Sequence, residues 1–294
     1  MVYPLISLIT INFNSTKHTI EFLESAQKLT YPNYEIIVVD NASTQSPQEI
    51  LTKKFPGIKF IRSQVNLGFA GGNNLGLKIA KGDFLFFLNN DTLLLPNFLE
   101  PIVNFMVEHP EVGMASPKVL YADEVTIQYA GAISINFLGR GRRIGLLEKD
   151  IGQYDYISET DLGHGAALIV PKAIIQKVGP MPELFFLYYE EHDWCEQVKR
   201  HGYKMYYLGN SKIVHKESIS TGGNEGYLKV YYLNRNRLLF MRRNFKGTKR
   251  ITGLIFYTIF AFPKKLVGYL LKGKFDLAGA IVSGFYWNLK NPCR

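Results

Sequence analysis

Residues 35–43 read Glu35-Ile36-Ile37-Val38-Val39-Asp40-Asn41-Ala42-Ser43, an unbroken branched aliphatic run that ends in a carboxylate. A run of this kind, closed by Asp, Asn and Ser, has the pattern of a strand buried on both faces, as in parallel sheets covered by helices. The flanking sequence agrees. Residues 5–11, 58–62 and 84–88 give further strand-like runs, and residues 17–29, 47–55 and 70–81 place apolar residues at helical spacing between them. This alternation predicts an α/β fold with a Rossmann-like, mostly parallel central sheet and flanking helices. Such sheets take ligands outside the carboxyl ends of their strands, which directs attention to Thr10, Asn12, Asp40, Asn66 and the run Asn89-Asn90-Asp91.

Farther along, a helix is expected at 96–109, strands at 113–120 and 166–170, a helix at 189–201, and a strand pair at 204–208 and 212–215. Residues 139–161 lack periodicity and carry Arg140, Arg142 and Arg143, so they read as a long mobile loop. A glycine-containing loop at 216–226 precedes a helix at 227–245. The simplest division is a catalytic-size domain, 1–226, and a C-terminal basic, amphipathic helical extension, 227–294.

The chain has 294 residues, 47% of them apolar, enough for a sizeable core and unlike a fibrous array or a disordered tail. Its formal charge of +9 is unevenly spread: residues 1–237 are net −1 and residues 238–294 net +10. The C-terminal basic residues border uncharged apolar stretches (251–263, 266–271, 275–289) that include Tyr257, Tyr269, Tyr286 and Trp287. That pattern argues against nucleic acid and for in-plane helices on an anionic membrane. The competing reading is a helical appendage packed on the catalytic domain or on a second subunit, as in a homodimer. Neither long stretch alone reaches the roughly 18 residues of a spanning helix. Two cysteines, Cys195 and Cys293, give no disulfide framework, which suits a reducing, cytoplasmic setting.

Four clusters can carry chemistry. Asp40 at a strand end can accept hydrogen bonds from a base or ribose, or can simply cap a turn. Residues 66–76 place Gly71, Gly72, Asn73, Asn74 and Gly76 in a helical stretch. Glycines there cost about 1 kcal/mol each, which a close ligand or close helix-to-sheet packing would explain. Asn89-Asn90-Asp91 offers oxygen ligands suited to Mg2+ or Mn2+, and equally the composition of a turn. Glu190-Glu191-His192-Asp193 lies against Phe185, Phe186, Tyr188, Tyr189 and Trp194, where crowded like charges raise at least one carboxyl's proton affinity. The same acids complement a helix N-terminus. His215 is a metal ligand or a loop histidine.

In order and spacing, Asp40-Asn41-Ala42-Ser43, residues 66–76, Leu88-Asn89-Asn90-Asp91, Gly165-Ala166-Ala167-Leu168, residues 185–193, His215 and Tyr231-Tyr232-Leu233-Asn234-Arg235-Asn236 resemble glycosyltransferase family 2, in its bacterial rhamnosyltransferase-like branch. The resemblance covers about residues 5–243. It implies a GT-A fold, a nucleotide-diphosphate sugar donor, a divalent cation and inversion at the anomeric carbon. By position it gives the donor's base to Asp40 and the nucleotide and sugar pocket to Asn66 with the glycine loop. Asn73 and Asn74 orient the sugar, and Asp91 and His215 contact the metal. Asn89 stands where the family's Asp-x-Asp motif begins, and Glu191 where its base stands, with Asp193 in reserve. A lipid-linked or cell-surface glycan acceptor at the inner face of the cell membrane completes the expectation. The alternatives are a sugar nucleotidyltransferase and an inactive partner subunit of a glycan-assembly complex.

Overall fold

The structure is a computed structural model that describes residues 3–133, 135–216 and 226–291. Most of the loop expected at 216–226, and Cys293, lie outside the described residues. The chain opens β1 (Ile6–Asn12), α1 (Thr16–Ala26), β2 (Tyr34–Asn41), α2 (Gln48–Lys54), β3 (Lys59–Ser63), α3 (Gly68–Leu77) and β4 (Phe84–Asn89), the expected alternation with ends shifted by a few residues. It continues β5 (Thr92–Leu94), α4 (Leu99–Glu108), β6 (Val112–Leu120), β7 (Ile127–Tyr129), β8 (Ala132–Ile133), β9 (Arg142–Arg143), β10 (Ile157–Glu159), β11 (Ala167–Pro171), α5 (Lys172–Val178), α6 (Glu190–Arg200) and β12 (Lys204–His215). Four helices follow: α7 (Tyr227–Asn244), α8 (Gly247–Phe256), α9 (Phe262–Leu271) and α10 (Phe275–Lys290).

The main sheet runs β10-β12-β6-β11-β4-β1-β2-β3. β1 is parallel to β2 and β4, β2 to β3, and β12 to β6, while β11 opposes both β4 and β6. It follows that β1, β2, β3, β4, β6 and β12 all end on one edge, and the start of β11 lies on that same edge. Ile37, Val38 and Val39 are fully buried, as the opening run requires. α3 lies close on this sheet: a Cβ at Gly76 would stand 2.6 Å from Ile9 Cγ2, and one at Gly72 2.8 Å from Ile11 Cδ1. Helix-to-sheet packing therefore accounts for these two glycines.

Two expectations are corrected. Residues 204–215 form one strand rather than a pair, with an irregularity between Leu208 and Lys212, and this carries His215 to the functional edge opposite Thr92. The segment 139–161 is fastened rather than free. Fully buried Lys118 pairs with Asp150 (2.8 Å) and Asp155, β9 pairs with β8, and β10 pairs with β12. Such long-range pairings leave no local periodicity in the sequence.

α7 begins just past the expected boundary at Gly226 and packs Leu238, Leu239, Phe240 and Met241 into the same core as the sheet. α8 and α9 join through a π-helical turn, Tyr257–Ala261, into one helix of 25 residues, Gly247–Leu271. Pro263 explains the turn, because it has no N–H and its ring displaces the carbonyl one turn back. By length and composition this helix can cross a membrane, a length hidden in the sequence by Lys264 and Lys265. It exposes Ile251, Ile255, Ile259, Phe260 and Leu271.

Candidate functional site

A cleft of about 670 Å³ opens at the carboxyl edge. β4 ends in its floor with Asn89, Asn90 and Asp91, Gly165 and Ala166 enter at the start of β11, and Glu190 and Glu191 face in from the first turn of α6. Asp91 Oδ1 lies 3.2 Å from His215 Nε2, and Asn89 Nδ2 is 3.2 Å from the same nitrogen. His215 Nδ1 sits 2.7 Å from Gln128 Oε1, to which it can donate, which fixes the ring and turns Nε2 into the cleft. Burial works to raise the Asp91 carboxyl, but the adjacent His215 ring outweighs it and holds the group below its ordinary value. Two electron-rich atoms this close need a positive centre, either a proton on Nε2 or a bound cation. The separation fits adjacent corners of an octahedron with ligands at about 2.1 Å, some 3 Å apart. Asp91 and His215 thus fit two places around a hard divalent cation and leave the rest for oxygens of a ligand. Among the described residues no three or more His, Cys, Asp or Glu are placed to hold one metal ion, so such an ion would draw its remaining ligands from substrate or water.

At the other side, Glu191 Oε1 is 3.0 Å from His192 Nδ1, and Oε2 is buried with no hydrogen-bond partner among the described residues. Burial would raise Glu191, but the His192 ring more than offsets this and keeps it below the usual carboxylate value. Glu190 goes the other way: burial and then the Glu191 charge push it well up. The crowding expected from the sequence therefore falls on Glu190 and leaves Glu191 ionised at neutral pH. His164, tilted against the Tyr129 ring and edge-on to His215, is held well below its ordinary value by burial and by the charges of His215 and Arg143.

The sign of the Glu190 shift gives a stability prediction. A carboxyl whose folded proton affinity is raised favours the fold below its unfolded pKa, and that stability is lost as pH rises toward the folded value. Replacing it by an amide removes the dependence. Glu190→Gln should gain stability over the parent above the ordinary glutamate range, by up to about 1.4 kcal/mol per pH unit within the window. Urea midpoints measured from pH 4 to 9 test this; a gap between the two proteins that does not change with pH would refute it.

The loop before α6 is strained. Phe186, Tyr188 and Tyr189 have φ of 64°, 68° and 73°, a region that costs non-glycine residues about 1–3 kcal/mol each. α7 holds it there. The two N–H groups of Asn236 Nδ2 serve three carbonyls, those of Phe185, Leu187 and Tyr188 at 2.8, 2.7 and 2.7 Å, one hydrogen being shared, and Arg235 donates to those of Leu184 and Phe185. The Arg235 guanidinium also lies over the Tyr232 and Trp287 rings. Across the cleft, Asn66 Oδ1 accepts from Gly68 N and Asn41 Nδ2, and Leu67 N donates to Asn41 Oδ1. Gly68, at φ +72°, lies where a Cβ would be 2.3 Å from Phe186 O.

Asn66, Asn89, Asn90, Asp91, Glu191 and His215 thus share the cleft, whereas the other expected site residues are not in its wall. Thr10 is buried inside β1. Asn12 donates to Asp40 Oδ1 and Ser43 Oγ, and Asp40 also faces Ser43 N and, at 3.3 Å, Arg62 Nε, so both organise the turn after β2. Gly71 lies over Leu67 within α3, and Gly72 lies on the sheet. Asn73 is buried, and Asn74 is held by Met181 N, Met181 O and Glu183 Oε1, fastening the 181–183 turn rather than facing a sugar. Asp193 is fully buried and bonded to Arg243, Asn244 and Gln197, which ties α6 to α7 and removes it as a reserve base. Sequence alone gives no role to Gln128 or His164, and none of their own to Asn41 and His192, although these two lie inside quoted stretches and His164 directly precedes the quoted Gly165.

The sequence profile of glycosyl transferase family 2 matches residues 7–174, more than half of the chain. The chain belongs to glycosyltransferase family 2. It is 24% identical over 241 residues to the low-salt glycan biosynthesis hexosyltransferase Agl10 of Haloferax volcanii, covering 80% of this chain and 74% of that one. An uncharacterized glycosyltransferase of Haemophilus influenzae is 30% identical over 109 residues, 37% of each chain. The O-antigen biosynthesis protein RfbC of Myxococcus xanthus is 24% identical over 198 residues, 65% of this chain and 15% of that one. Among solved structures, GalNAc-T7 with UDP, GalNAc and Mn2+ superposes with a TM-score of 0.63 at 15% identity, over 79% of this chain and 48% of that one. S. aureus TarS 1-349 superposes with a TM-score of 0.56 at 17% identity, over 87% and 72%. The fold of this family 2 member is accordingly GT-A-like, and the chain is a glycosyltransferase.

Proposed function

We propose that this glycosyltransferase moves one sugar, with inversion, from a nucleotide-diphosphate donor to a hydroxyl of a lipid-linked or cell-surface glycan at the inner face of the membrane. Rhamnose is the first candidate sugar. The observation that carries the reading is that one cleft holds both electron-rich Asp91 with His215 at the ends of β4 and β12 and, on α6, ionised Glu191 with one oxygen that has no hydrogen-bond partner among the described residues. Asp91 and His215 would hold Mg2+ or Mn2+, which would supply positive charge to offset that of the diphosphate leaving group. Asn66, Gly68 and the Phe186 backbone border the donor's place. Glu191 takes the proton from the acceptor hydroxyl as that oxygen attacks the anomeric carbon, in a single displacement. Part of the proposal is that residues 1–226 form the catalytic domain and 227–294 a helical extension, in which α7 lines the cleft and the helices from Gly247 onward contact the membrane. Its support is the net +10 at the C-terminus and the exposed apolar helix Gly247–Leu271, whose Lys264 and Lys265 favour a position in the interface plane.

The test incubates purified protein with deoxythymidine- and uridine-diphosphate sugars and Mg2+ or Mn2+, and scores nucleoside diphosphate release with and without chelator. Chelator-sensitive turnover of deoxythymidine-diphosphate rhamnose is the expected result. Turnover that chelator leaves intact would remove the metal from the proposal, and preference for a uridine donor would remove rhamnose.

A further inference from the structure

Arg140 and Arg143 both line the cleft, while Arg142 between them does not, and neither has an ion-pair partner among the described residues. Their loop is built to hold them. Asn136 Oδ1 accepts from the amides of Leu138 and Arg140, Arg237 Nε donates to Leu138 O, Tyr189 Oη to Gly139 O, and Lys249 Nζ to Ile135 O. β9 fixes Arg143 opposite Ala132. The loop stands on the Glu191 side of the cleft: a Cβ at Gly141 would lie 4.0 Å from His192 Nε2, and His192 pairs with Glu191.

Charge then becomes informative. A divalent cation with Asp91 and His215 answers the donor's diphosphate, so two guanidinium groups facing the same cleft call for a second anion. The loop also rests on the exposed helix. Phe137 packs on Phe256 with ring centroids 5.8 Å apart, and Gly253 fits under the Phe137 carbonyl. A phosphate-linked acceptor held in a bilayer has its anionic group at the water boundary, the level at which a helix lying in the interface would place these arginines.

We propose that Arg140 and Arg143 form a subsite for a phosphate or diphosphate group of the acceptor, next to the hydroxyl that Glu191 deprotonates. The inference rests on the glycosyl-transfer reading above and names the acceptor's chemical class. The same chemistry also exists in the donor, so the experiment has two arms.

In the first, inorganic pyrophosphate is titrated calorimetrically into the full chain with excess chelator, which leaves Asp91 repelling the probe. Binding is expected in the parent and in Arg142→Ala, and at least about tenfold weaker in Arg140→Ala/Arg143→Ala, with the double lysine variant in between. Equal binding by parent and double alanine variant, or none by the parent, overturns the subsite. In the second, donor hydrolysis without acceptor is measured with the cation present. A donor KM within twofold of the parent in the double alanine variant supports an acceptor subsite; a rise of tenfold or more assigns the arginines to the donor diphosphate and overturns the proposal. A parent that neither binds a nucleotide-diphosphate sugar nor turns one over overturns the transfer reading, and the pyrophosphate arm distinguishes that failure from the loss of the subsite.

Discussion

Glu191→Gln is expected to lower kcat by about 10³-fold while leaving donor affinity within a factor of two. The amide keeps the volume of the side chain and its place beside His192, so the cleft is preserved and only the proton acceptor is lost. His192 holds the Glu191 carboxyl below its ordinary value despite burial, so the base is ionised across the neutral range. The acid limb of the kcat/KM profile should accordingly fall below the ordinary glutamate pKa, and activity should be level between pH 6 and 8. Donor affinity from calorimetry and single-turnover rates test both statements. Full turnover by the amide variant would remove Glu191 as the base; a parallel loss of donor binding would make it a donor ligand instead. Asp193 offers no substitute, since Arg243, Asn244 and Gln197 already occupy its oxygens.

The parallel sheet was legible because burial on both faces leaves a local signature: residues 36–39 are all branched aliphatics and are closed by Asp, Asn and Ser, which suits a short covered strand better than a buried helix. The strand ends were legible for the same reason, which is why the sequence singles out Asn66, Asn89, Asn90, Asp91 and His215, all of them in the cleft wall. A glycine-rich helix start looks the same whether the space is filled by a ligand or by the sheet: Ile11 and Ile9 lie against Gly72 and Gly76, and Asn74 is turned to Met181 and Glu183, outside the cleft wall. Asp193 misled because a carboxylate's partners were far away in sequence, on α7. Gln128 was invisible for a related reason: its role is to orient His215 from a strand 87 residues earlier. Local pattern reports what an element packs against. It does not report which distant side chain fixes a rotamer.

The Tyr231–Asn236 stretch shows the difference most clearly, since it was recognisable in sequence yet without a stated physical role, and the structure supplies one. Asn236→Leu should cut kcat by about 10²-fold, with donor KM little changed. Leucine matches the volume but donates nothing, leaving the carbonyls of Phe185, Leu187 and Tyr188 without the bonds that hold three left-handed residues in place. Losing these bonds costs about 1 kcal/mol each, a few kcal/mol in all, similar to the strain they offset. The loop is then free to relax, and the first turn of α6 that carries Glu191 moves with it. A general stability defect would lower the amount of active enzyme without changing the shape of its pH profile. Displacement of Glu191 from His192 should instead move the acid limb upward, toward the value burial alone favours, because the ring no longer counters desolvation. Asn236→Gln, which retains the donors on a longer arm, should recover part of the rate. An unchanged acid limb with normal kcat per folded molecule would reduce Asn236 to a packing residue and separate α7 from the chemistry.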